Sequence, residues 1–179
     1  MRAFGPGSVS SFLKMALDVV QVALWVGAAI IGPLGLLILV YLPFAPAQLP
    51  VEVGGKAFEL PLRNPAVVAV LMGVEVYLAC LLIIVHRIRK VVETLTVGDP
   101  FRPENVQRLR VIGLALVALE ASSYLVRLIV AWTAPAAAEA HLDSGWFNPT
   151  AWFAVLVVFV LAEVFREGAR LRREAELTI

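Results

Sequence analysis

Charge is scarce in this chain. Only 16% of its 179 residues are Asp, Glu, Lys or Arg, and 60% are hydrophobic. Soluble domains run nearer a quarter charged. An apolar excess of that size cannot be hidden inside one domain, so the expected solvent is lipid. Cysteine is nearly absent: Cys80 alone excludes an internal disulfide, a CxxC redox pair and a cysteine-rich zinc site. Set among Leu78, Ala79, Leu81 and Leu82, it reads as a small core hydrophobe. The two histidines, His86 and His141, fall on opposite predicted membrane faces and cannot share a metal or a haem. HExxH, GxSxG, P-loop and GxGxxG patterns are all missing. No catalytic residue, metal ligand or cofactor is therefore expected, and the chain reads as non-enzymatic.

What is there is four long apolar runs, at about 15–41, 65–87, 108–132 and 149–168. Each reaches or approaches the ~20 apolar residues needed to cross a hydrocarbon core. Ala45-Pro46-Ala47 looks like a signal-peptidase site, but the preceding run is longer than a signal h-region and a proline sits mid-site, so it is read as a retained span. Residues 43–64 and 133–148 form loops on one side. In the first, Val51–Val53 and Lys56–Leu60 flank Gly54-Gly55 and predict a small β-hairpin, bracketed by Pro50 and Pro61. The expected fold is an all-α membrane protein over residues 1–179: one domain of four transmembrane helices with that hairpin outside.

The centre of the chain sets the orientation. The hinge at 88–107 and its flanks carry six cations: Arg87, Arg89, Lys90, Arg102, Arg108 and Arg110. With Arg2, Lys14, Arg166, Arg170, Arg172 and Arg173, twelve cations fall on the hinge side, against Lys56 and Arg63 on the other. Cytoplasmic flanks carry such an excess, so the chain is predicted to be multi-pass with both termini and the hinge in the cytoplasm. Basic residues beside a span are explained by topology and anionic lipid, so direct nucleic-acid binding is not expected. Asp18, four residues after Lys14, is expected to pair with it at the boundary.

Four ionisable side chains interrupt the spans: Glu75, Glu120, Arg127 and Glu163. Such residues are expensive in lipid and usually face the protein interior or water. Glu75 and Glu120 sit at similar depth, and Arg127 is seven residues beyond Glu120 on the same helix face. With Tyr77 and Tyr124 they predict a buried polar cluster or a ligand site.

Gly98-Asp99-Pro100-Phe101, Glu104-Asn105, Arg108-Leu109 and Ile112-Gly113 together resemble the "G-x-PF…eN…rLr.iG" pattern of an uncharacterised bacterial membrane family of four predicted spans. Leu161–Gly168 and the ending Glu176–Ile179 resemble that family's tail. The resemblance brings no biochemical role. It implies a neighbouring Cro-like helix-turn-helix regulator as a possible cytoplasmic partner. The expected function is regulatory or sensory, with a docking surface at Asp99, Pro100, Phe101, Pro103, Asn105 and Arg108, on which hinge and tail pack together. The alternatives are a small proton-coupled transporter using the mid-membrane carboxylates and a structural subunit of a membrane complex. Homo-oligomerisation is left open.

Overall fold

A computed structural model describes residues 9–46, 49–53, 56–60, 62–96, 101–135 and 147–177. Four helices dominate it: α1 (Val9–Tyr41), α2 (Pro65–Thr96), α3 (Pro103–Thr133) and α4 (Pro149–Glu176). Among the described residues, these four are long and apolar enough to cross a membrane. Their exposed faces carry large apolar side chains such as Leu37, Trp25, Leu125 and Phe153, which suit contact with lipid. The chain is a multi-pass integral membrane protein.

Proline sets three of the helix starts. Pro65, Pro103 and Pro149 each open a helix, where the missing N–H is not needed and the fixed φ is already helical. Asn148 caps α4, its Oδ1 accepting from the Ala151 N–H. The helices run beyond the apolar limits read from sequence: α2 continues to Thr96 and α4 to Glu176. A 3-10 turn, Leu42–Phe44, follows α1.

Strands β1 (Leu49–Val53) and β2 (Lys56–Leu60) pair antiparallel, Val51 opposite Phe58 and Val53 opposite Lys56. Pro50 was expected to stop the pairing. Instead it lies within β1, opposite Glu59. A two-stranded ladder has only edge strands, and an edge position tolerates a residue without an N–H. The Gly54-Gly55 turn lies outside the described residues.

The chain divides into two compact units. The first comprises residues 1–26, 79–120 and 148–179, and the second 27–78 and 121–147. In the first unit, Leu109, Ile112 and Ala162 form a core with Ile84, Ile88, Leu116, Val158 and Phe165 around it. Gly113 lets α4 approach α3: a Cβ there would lie 2.9 Å from the Phe159 ring. In the second, Gly73 receives Val126 in the same way, with a Cβ-to-methyl distance of 2.7 Å. Among the described residues six of the buried hydrophobics are alanine: Ala45, Ala66, Ala69, Ala115, Ala162 and Ala169. Lipid offers no hydrophobic drive between helices, so close backbone approach through small residues carries the packing.

Candidate functional site

The hinge is closed by a polar clasp in the first unit. Asn105, in the first turn of α3, is fully buried. Its amide donates to Thr94 Oγ1 of α2 at 2.6 Å, and Thr94 in turn donates to the Val91 carbonyl at 2.7 Å. Arg108 Nη1 donates both to Asn105 Oδ1 at 2.9 Å and to the Lys90 carbonyl at 2.7 Å. One side chain with a donor end and an acceptor end thus ties two helix ends together. Neutral Asn does this without bringing a charge into the interior.

Phe101 stands just before the clasp. Its ring lies against Gly168 of α4, where a Cβ would come within 2.5 Å of it. It also tilts against Phe165, with ring centroids 5.6 Å apart. Yet Phe101 remains 40% exposed. Of the six residues expected at a docking surface, Asn105 and Arg108 are bound into the clasp, and Pro103 is exposed at the helix start. Asp99 and Pro100 lie outside the described residues.

A second polar node was not foreseen. Arg89 Nε of α2 stands 3.0 Å from Asp18 Oδ1 of α1 and 3.3 Å from Glu93, while its Nη1 donates to Gln21 Oε1 at 3.2 Å. Asp18 therefore pairs across helices, not with Lys14 as expected. Arg89 brings one guanidinium close to acceptors on two helices, Asp18 and Gln21 on α1 and Glu93 on α2. The Nε and Oδ1 atoms are shut off from solvent, and their geometry gives close charges without a directed hydrogen bond. From the sequence alone, Arg89 is one more topology-setting cation.

The mid-span ionisable residues divide between the two units. Glu75, in the second unit, turns toward α1: its Oε1 would lie 2.5 Å from a Cβ at Gly35 and its Oε2 3.7 Å from one at Gly32. Gly35 is buried beneath it. Among the described residues, Glu75 takes part in no ion pair or side-chain hydrogen bond. Arg127 faces elsewhere, lining a cavity of about 340 Å³ with Tyr77, Ser122 and Ser123. Tyr124 is half-buried in the same unit, and Glu120 half-buried in the first. Glu163 is exposed and ion-paired to Arg166 one turn along α4. No group of three or more His, Cys, Asp or Glu among the described residues is placed to hold a metal.

The motif that suggested a family now has a physical content: Phe101, Asn105, Arg108, Leu109, Ile112 and Gly113 build the clasp and the packing around it. The pattern of the family described as "Protein of unknown function (DUF2975)" matches residues 51–179. The chain belongs to this family. No curated protein and no solved structure matches it. In this DUF2975 chain the matched region takes in α2, α3 and α4 entire, and with them every residue of the clasp.

Proposed function

We infer that the chain is a non-enzymatic regulatory or sensory protein of the bacterial inner membrane, with both termini and the hinge in the cytoplasm and the β1–β2 hairpin outside. Its output is a docking surface formed where the hinge meets α4. The observation that carries this reading is Phe101, held on Gly168 and Phe165 while two fifths of it stays open. The clasp beside it fixes the helix ends before any partner arrives. A preorganised surface binds without first losing the entropy of ordering itself. Around it α4 carries Arg166 and Arg170, each paired to a glutamate on its own helix, which gives the face mixed charge. The cytoplasmic helix-turn-helix regulator implied by the family resemblance is a partner of suitable kind.

The test is recovery of bound protein from native membranes. Phe101→Ala is expected to abolish partner recovery while membrane expression stays at the parental level. Unchanged recovery, or collapse of expression, removes Phe101 from any docking role. The second reading is a proton-coupled carrier, favoured by the unpartnered Glu75 carboxylate within a span. It predicts substrate flux in proteoliposomes that Glu75→Gln abolishes.

A further inference from the structure

The second unit carries two open apolar grooves that share a wall. The larger, about 600 Å³, runs between α2 and α3, with Met72, Val76, Leu125 and Ile129 on its sides and Val126 against Gly73 in its wall. The other, about 540 Å³, lies between the end of α1 and α2, lined by Leu39, Leu42 and Pro43. Val68 and Arg63 belong to both. Arg63 precedes the first turn of α2 and is exposed. Its place is fixed twice. One guanidinium nitrogen donates to the Pro43 carbonyl at 2.8 Å. Next to it, Asn64 caps α2 through the Ala66 N–H and donates to the Thr133 carbonyl of α3, both at 2.8 Å. Among the described residues, the other N–H groups of Arg63 have no acceptor.

We propose that this unit binds one anionic diacyl phospholipid, with its phosphate on Arg63, one acyl chain along the larger groove and the first part of the other in the smaller. Two features select that occupant. The first is charge: a guanidinium at the head of two apolar channels matches a phosphate at the head of two acyl chains, and the planar fork suits phosphate. The second is length. From Pro65 to Val76 the larger groove descends about 16 Å at 1.5 Å per residue. That is about half of a ~30 Å hydrocarbon core, the depth of a single leaflet. A helix from a second copy would need no cation at the groove's mouth. Lipid held here welds α1, α2 and α3 of this unit together across faces whose side chains, Met72 and Leu125 among them, are otherwise half-open. This site is independent of the docking surface, since it lies in the other unit.

The experiment uses the full chain in detergent, titrated with phosphatidylglycerol or phosphatidylcholine and read by native mass spectrometry. The parental protein is expected to retain phosphatidylglycerol preferentially. Arg63→Ala is expected to weaken phosphatidylglycerol binding about tenfold, the size of one lost charge-assisted hydrogen bond, and to weaken phosphatidylcholine less, because choline already offsets the charge of that phosphate, so that the preference between the two lipids shrinks. Met72→Trp, which fills the larger groove, is expected to lower retention of both lipids; Leu125→Trp on the facing wall serves if that variant does not fold. Equal retention of the two lipids by the parental chain, or an Arg63→Ala variant with parental preference, overturns the proposal. So does disulfide-linked dimer from Leu125→Cys in native membranes, which would put a second copy in the groove.

Discussion

Two asparagines, one in each unit, do similar work. Asn64 joins the start of α2 to the end of α3, and Asn105 joins the start of α3 to the end of α2. Each uses the amide to donate and the carbonyl oxygen to accept, so neither leaves half its polarity unmatched. Asn105 is the more demanding case because it is fully buried. Asn105→Ala strips the acceptor from Arg108 and the donor from Thr94, and should lower stability by about 1–3 kcal/mol. Thr94→Val should be damaging alone but add little in the Asn105→Ala background, because both remove one network. Thermal unfolding in detergent measures this; additive losses would show that the clasp is not a unit.

At the scale of the helices, the glycines decide where backbones meet. Gly113 accepts the Phe159 ring, Gly73 accepts Val126, and Gly35 leaves room for the Glu75 carboxylate. Gly113→Val should overpack the α3–α4 contact and lower stability by about 1–3 kcal/mol. Phe159→Ala in the same chain should recover part of that loss by vacating the space the new methyls need. If the double variant is weaker than Gly113→Val alone, the ring and the glycine are not partners. Such pairings could not be read from sequence, whereas the four helices could. Length, apolarity and proline at the first helical position fix where a helix runs; which face of it meets a neighbour depends on side-chain contacts far apart in the chain. That is why depth and helix face could group Glu75, Glu120 and Arg127 in one expected cluster without showing that Glu75 turns to α1 and Arg127 to a cavity between α2 and α3. It is also why Asp18 found Arg89, 71 positions on, and not Lys14 on its own helix.

For the whole molecule, the hinge cations carry two separable duties. During insertion the excess of Lys and Arg beside a span sets its orientation, and acidic residues contribute little to that bias. After folding, Arg89 binds Asp18, Gln21 and Glu93, and Arg108 holds the clasp. Orientation is decided by many cations together, stability by a few in place. Removing one of twelve against two should therefore leave the orientation intact while loosening the fold. Arg89→Gln keeps a donor but deletes the charge facing Asp18, and an unpaired carboxylate at that partly buried site should lower the melting temperature in detergent. Cysteine substitutions read the orientation, against a low background because Cys80 is buried. Membrane-impermeant reagent should label cysteines at Gly55 and Ser144 in intact cells and miss one at Gly98, in the parental chain and in Arg89→Gln alike. Labelling at Gly98 in the parental chain would reverse the proposed orientation. Labelling there in Arg89→Gln alone would mean that this cation directs insertion as well as packing, and that the two duties are one.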